Sequence, residues 1–321
     1  MKLKIITILV LLIVGLSIFV SGCTDSGDSR DNENTGQEAE MSETDEPILV
    51  AVSVVPQAEF VEKVGGDKVK TVVIIPPGAD PHTYELSPKE VQEISKASML
   101  VTVGVGMPFE EVWINKFETM NSGTLIVNCS KGLELRELEE HDHEEEEEGE
   151  RDEESDEDHE ELDPHIWTSP ANAKIMVEDI YEGLVKLDPE NEAYYAQNKD
   201  AYLEELDALD ERIREKLEGS EGSNFLVYHP SWGYFAEDYG LNMISVEIEG
   251  KEPSAQDLAK LVDLAKEKNV KVIFVQSQFS TRSAEVLAQE IGGEVVAVDP
   301  IAKDYITNMD NVSDIFARNL V

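Results

Sequence analysis

The stretch PENEAYYAQNKDAYLEELDALDERIREKLEG, residues 189–219, decides the architecture. Between Pro189 and Gly219 there is no further glycine or proline. Apolar residues fall at Tyr195, Tyr202, Leu206, Leu209, Ile213 and Leu217, at spacings of 7, 4, 3, 4 and 4. That spacing puts all six on one stripe of an α-helix. At 1.5 Å per residue the helix would be about 40 Å long, more than one small domain needs. It reads as a beam joining two units and restricting hinge motion between them.

On the N-terminal side of this helix, apolar runs occupy 48–55, 68–75, 99–105 and 124–127. They are short, nearly continuous and rich in β-branched residues, as strands buried on both faces of a parallel sheet are. Ser87-Pro88-Lys89-Glu90 has the form of a helix start, with a capping Ser, a Pro at the first position and a Glu three residues on. On the C-terminal side, runs at 225–228, 243–248, 270–275 and 295–298 read as strands. Residues 254–268 and 281–291 read as helices between them, the second ended by Gly292-Gly293. Strand and helix alternate on both sides. The expected fold is two α/β lobes with parallel sheets, 48–188 and 220–321, joined by the single long helix 189–219.

The start of the chain points outside the cytoplasm. Lys2 and Lys4 precede an apolar run at 5–20, the charged and hydrophobic parts of a secretory signal. The run ends in Val20-Ser21-Gly22-Cys23, which looks like a lipobox. Residues 1–22 are therefore expected to be a signal peptide, with Cys23 lipidated as the first mature residue. The alternative is an uncleaved membrane anchor, since about 18 apolar residues can just span a bilayer. Either way the protein is extracytoplasmic and tethered to the membrane. With Cys23 lipidated, Cys129 has no partner for a disulfide, and it is expected to pack at a strand end.

The net charge of −43 is concentrated. Residues 25–46 hold nine acidic residues and one Arg, net −8, with almost no apolar content. Segment 23–47 therefore reads as a disordered acidic tether. Residues 137–163 hold nineteen acidic residues and one Arg, net −18. So acidic a chain excludes nucleic acid as a partner. Life in high salt would give a similar bias.

The six histidines are not scattered. His82, His165 and His229 each have Pro beside them, in Asp80-Pro81-His82, Asp163-Pro164-His165 and His229-Pro230. His141, His143 and His159 sit in the acidic stretch just before His165. Neutral imidazole is the commonest metal ligand among side chains. Three isolated imidazoles and a His-dotted acidic loop at 137–161 indicate a metal-handling protein.

Four segments carry a resemblance: GADPHTYELSP at 78–88, DPHIWTS at 163–169, YHPSWGYF at 228–235 and DPI at 299–301. In order and spacing they are similar to the metal-specific solute-binding receptors of ABC importers, the cluster that takes up zinc, manganese or iron. The resemblance runs from about residue 48 to the C-terminus. It implies a monomer with a metal in the cleft between two lobes, delivered to a membrane permease. It also implies that His82, His165 and His229 are ligands, with Asp299 as a carboxylate from the C-terminal lobe. Three imidazoles and one carboxylate suit tetrahedral Zn2+. Manganese prefers more oxygen and higher coordination. Manganese receptors of the family tend to carry a carboxylate where this chain has His229, so zinc is expected and manganese or iron is the alternative. Pro81 closes the route by which some zinc receptors supply a carboxylate from the residue before the first His, which adds weight to Asp299.

Some roles stay open at this point. Glu247, Glu249 and Gln278 could face the cleft, and Trp167 and Trp232 are expected to pack behind the ligands. His141, His143 and His159 are expected to capture metal weakly and keep it near the cleft. Each imidazole must be neutral to bind, so affinity is expected to fall as pH drops through about 6.5. The competing class is an extracellular zinc enzyme. Catalytic zinc normally keeps a position open for water, and no H-E-x-x-H or G-x-S-x-G motif occurs. The expectation is a binding protein and no enzyme. Adhesion at a surface is a third reading that no motif supports.

Overall fold

A computed structural model describes residues 46–138, 162–247, 251–276, 278–279 and 281–320. The signal segment, Cys23, the tether up to Asp45, His141, His143, His159 and Glu249 lie outside the described residues. In chain order the elements are β1 (Ile48–Val52), α1 (Val55–Gly65), β2 (Val69–Val73), α2 (Pro88–Ile94), β3 (Met99–Thr102), α3 (Pro108–Met120) and β4 (Leu125–Asn128). Then come α4 (Pro170–Leu187), α5 (Glu192–Leu217), β5 (Asn224–Val227), α6 (Gly233–Asp238), β6 (Asn242–Ser245), α7 (Ala255–Glu267), β7 (Val272–Val275), α8 (Arg282–Ile291), β8 (Glu294–Ala297) and α9 (Tyr305–Asn319).

The eight strands form two four-stranded sheets, with orders β2-β1-β3-β4 and β6-β5-β7-β8. Every pairing in both is parallel. The expected α/β fold with two parallel sheets is borne out. Several expected strands are shorter than their apolar runs, for a local reason. Val55-Pro56 opens α1 instead of extending β1, because Pro is at home in a helix's first turn, where its missing N–H costs no bond. β3 stops at Thr102 because Gly104 turns the chain with a φ of 90°.

The long helix forms as α5, 26 residues preceded by a 3-10 turn at Pro189–Asn191. Its buried residues are the six of the sequence stripe: Tyr195, Tyr202, Leu206, Leu209, Ile213 and Leu217. α2 begins with the expected capping box, Ser87 Oγ accepting from the Glu90 N–H and the Glu90 carboxylate accepting from the Ser87 N–H. α8 ends at Gly292 in the left-handed conformation.

The main core runs without a break from the first sheet, through α5, to the near face of the second sheet. Strands of the second sheet alternate faces, as their pleat requires. Phe225, Val227, Val272 and Phe274 join the main core with Phe316 of α9. Leu226, Tyr228, Ile273 and Val275 point the other way, into a smaller core closed by Leu261 of α7 and Leu287 of α8. Among the described residues no helix is long and apolar enough to cross a membrane.

Candidate metal centre

Each of the three isolated histidines lies beyond the carboxyl end of a strand, where open parallel sheets place their ligands. His82 is in the loop between β2 and α2, His165 in the segment between β4 and α4, and His229 two residues after β5. The first two are built alike. In each Asp-Pro-His triplet the Asp Oδ1 accepts the His backbone N–H, at 2.9 Å from Asp80 to His82 and 2.9 Å from Asp163 to His165. This turn, in which Asp mimics a backbone acceptor two residues on, is a local property of Asp and presets the direction of the ring that follows.

The three rings converge. Their centroids lie 5.5 Å (His82–His165), 4.8 Å (His82–His229) and 5.1 Å (His165–His229) apart. One ligand atom from each lies within 4.8 Å of the others, and the Nε2 atoms of His165 and His229 are 3.2 Å apart. Two nitrogens bound tetrahedrally at 2.0–2.1 Å stand about 3.3 Å apart. The His165–His229 pair therefore already has the spacing that zinc needs.

Two rings are oriented by carboxylates. His165 Nδ1 meets Asp163 Oδ1 at 2.8 Å, and the other Asp163 oxygen pairs with Arg136 Nη1 at 3.1 Å. His229 Nδ1 meets Glu247 Oε2 at 2.8 Å. A carboxylate on Nδ1 fixes the tautomer that leaves Nε2 with its lone pair free and makes it a stronger donor to a metal. His82 Nε2 is shut from solvent and has no hydrogen-bond partner. An orphaned buried nitrogen is costly unless something else takes its lone pair. His229 also stacks on Phe279, and its carbonyl accepts from Gln276 Nε2 at 3.2 Å.

The electrostatics favour neutral rings. Burial, with the neighbouring His229 and His165, drives the His82 pKa down to about 2. Burial also lowers that of His165, against the pull of Asp163. Both therefore present a lone pair to a metal across the neutral range.

Asp299 is placed differently. It follows β8, and its Oδ1 accepts the Ile301 N–H at 2.9 Å. Among the described residues the converging group consists of His82, His165 and His229, and Asp299 stands outside it. Gln278 lines a cavity of about 20 Å3 beside the rings, walled by Pro81, Trp167, Phe279 and Ile301. Trp167 packs edge-on against His165 and donates from Nε1 to the Pro300 carbonyl at 2.7 Å, tying the segment after Asp299 to the segment after His165. Trp232 packs instead among Phe235 and Phe316 in the core. Cys129 is free, buried and apart from the imidazole group.

The sequence reading left Glu247 undecided and missed Asp163 and Arg136 as supports. The repeated Asp-Pro-His triplet was the available signal for Asp163. Glu247→Gln is expected to weaken metal binding by about 10–100-fold without removing a ligand, because the amide no longer fixes the ring's tautomer. Titration of that variant with zinc beside the wild type checks this.

Comparison with known proteins agrees with the site. The family described as zinc-uptake complex component A, periplasmic, matches residues 50–319. The high-affinity zinc uptake system protein ZnuA of Bacillus subtilis is 35% identical over 272 residues, covering 84% of this chain and 83% of the relative. The zinc-binding lipoprotein AdcA of Streptococcus pneumoniae is 29% identical over 81% of this chain, which spans 51% of that protein. A crystal structure of ZnuA superposes with a TM-score of 0.77 at 36% identity, covering 86% of this chain and all of the other. The matched family is one of extracytoplasmic uptake components and not of enzymes, and this chain is accordingly a metal-binding component of an uptake system outside the cytoplasm. The chain belongs to the periplasmic zinc-uptake complex component A family.

Proposed function

We propose that the protein captures Zn2+ outside the cytoplasmic membrane and delivers it to the membrane permease of an ABC importer. The observation that carries the choice of zinc is the all-imidazole group, with two Nε2 atoms 3.2 Å apart. Three converging imidazole nitrogens, two of them already at the spacing of a tetrahedral pair, suit a small tetrahedral ion. A larger, oxygen-seeking ion such as Mn2+ would want more carboxylate than converges here. His82, His165 and His229 hold the zinc, and Asp299 supplies the fourth bond by turning from the Ile301 N–H toward the ion. The lobe boundaries follow the sequence reading, 48–188 and 220–321 about the helix at 189–219. The chain acts as a monomer, anchored at the outer face of the membrane through lipid on Cys23.

The acidic segment at 137–161 gathers zinc weakly through His141, His143 and His159 and holds it near the cleft. A ZnuA variant lacking residues 138–173 of its own chain has been crystallised with zinc bound. Titration of the full chain and of a variant lacking 137–161 with Zn2+ and Mn2+ tests both parts of the proposal. One tight Zn2+ per protein is expected in each, with Mn2+ weaker, and additional weak zinc equivalents only in the full chain. Equal affinity for the two ions would overturn the choice of zinc. Loss of tight binding on deletion would make one of the three loop histidines a primary ligand.

A further inference from the structure

Both sheets place their strands in the order second, first, third, fourth. Each therefore has a crevice where the order reverses, between the carboxyl ends of its first and third strands. In the second sheet this crevice, between β5 and β7, is where Gln276 holds the His229 carbonyl, and it serves the metal centre. In the first sheet the equivalent crevice, between β1 and β3, is filled by a carboxylate of the chain itself.

Glu110, in the first turn of α3, reaches back into it. Its Oε1 accepts from Ser53 Oγ at 2.5 Å and from the Val103 N–H at 2.6 Å. Its Oε2 accepts from the Gly104 N–H at 2.7 Å. Ser53 directly follows β1, and Val103 and Gly104 directly follow β3. Glu110 is 3% exposed and Ser53 fully buried. Among the described residues no cation helps to hold the carboxyl, which burial pushes up from its ordinary range against those three hydrogen bonds. On the β1 side Gln57 does the companion work, its Oε1 accepting the Ser53 and Val54 N–H groups at 3.0 and 3.2 Å.

We propose that the first-sheet crevice is a binding site for a small carboxylate, permanently occupied in cis by Glu110. Two backbone N–H groups and a hydroxyl converging on one carboxylate are the contacts that a free monocarboxylate ligand would receive in such a crevice. The internal ligand leaves the second-sheet crevice as the one open to cargo. It also fixes α3 against the ends of β1 and β3. Pro108, Phe109 and Trp113 of α3 share a groove of about 470 Å3 with His82 and Tyr84. Glu110 thereby positions the wall behind the His82 loop.

The test is Glu110→Ala in the full chain, followed by thermal unfolding in rising concentrations of sodium formate, with sodium chloride as the control for ionic strength. The variant is expected to melt below the wild type, and formate to restore its melting temperature saturably while leaving the wild type and the chloride series unchanged. An unresponsive variant, or an equal formate effect on the wild type, overturns the proposal. Glu110→Gln keeps the shape and needs no added ligand. Its amide sets N–H donors against backbone donors, so exchange of the Val103 and Gly104 amide hydrogens is expected to quicken by about tenfold or more. Wild-type exchange in that variant also overturns the proposal, and this measurement stands if Glu110→Ala does not fold.

Discussion

His229→Ala is expected to lose tight zinc binding, with affinity falling by more than about a hundredfold, since losing only an orienting partner already costs 10–100-fold. The ring it removes supplies one of the two nitrogens set 3.2 Å apart. It also strands Glu247, whose carboxylate is paired with that ring. His165→Ala should behave alike, and additionally disturb the Asp163–Arg136 pair that its ring packs against. His82→Ala should separate binding from folding. Its Nε2 has no partner among the described residues, so the substitution breaks no hydrogen bond there while removing a proposed zinc ligand. The expected result is a metal-blind protein whose metal-free stability at neutral pH is close to that of the wild type. Asp299→Ala should cost less than any of the three, if water can take the carboxylate's place. Calorimetric zinc titration of the four variants, each checked by thermal unfolding, orders them. Wild-type affinity in any histidine variant removes that residue from the ligand set.

The second large effect is that of pH on the metal-free protein. His82 is held near pKa 2 in the fold, and a free imidazole titrates near 6.5. The unfolded chain therefore binds a proton below pH 6.5 that the folded chain refuses, and stability falls as pH falls through that window. One such group removes about 1.4 kcal/mol per pH unit, or about 2 kcal/mol at pH 5. His165, whose pKa is also lowered, adds in the same direction. Carboxyls whose pKa burial raises, Glu110, Asp179 and Asp238, take up protons in the fold and act in the opposite direction. Urea unfolding of the metal-free wild type and of His82→Ala at pH 7 and pH 5 isolates the ring: the wild type should lose about 2 kcal/mol more than the variant between the two values, and the same change in both would refute it. The same shift revises the expectation of a steep loss of zinc affinity from pH 7 to 5. Three free imidazoles would together release about two protons to zinc at pH 6. A closed site in which His82 and His165 are already neutral should release far fewer, as calorimetry in buffers of different ionisation enthalpy would show.

Much of the fold was legible because it rests on short-range rules. The α5 stripe was readable residue by residue, since each of its six apolar positions faces a core and a helix of that length has only one way to bury them. The strands were legible as apolar runs, but their ends were not. Val54 and Val55 look like more strand, and only the helical turn that Pro56 joins shows otherwise. Helices α1, α3, α6 and α9 went unread because no side-chain cap marks their starts, and α4 went unread although Ser169 and Pro170 open it as Ser87 and Pro88 open α2. In the site, the three converging histidines were legible through their Pro-flanked segments and the family likeness. Their carboxylate partners were less so. Asp163 stood in plain view two residues before His165, whereas Glu247 is 18 residues from His229 and meets it only because β6 lies beside β5. The Glu110 cradle had no sequence signal, since it joins the ends of two strands and the start of a helix 57 residues from Ser53.

The unbroken core sets a clock for cargo exchange. Rotating the two sheets apart would part Phe60 of α1 from Tyr305 of α9, whose ring centroids lie 4.9 Å apart, at a cost of about 1.5–3 kcal/mol for exposing Phe60 alone, and would bare part of the stripe on α5. Wide opening on the microsecond-to-millisecond scale of hinged domains is thereby suppressed, and the motions left to the site are those of its loops, in the nanosecond-to-microsecond range. Loop motion that fast cannot limit departure from a tight site. The dwell time of the ion is then set by the breaking of bonds to nitrogen, one imidazole at a time.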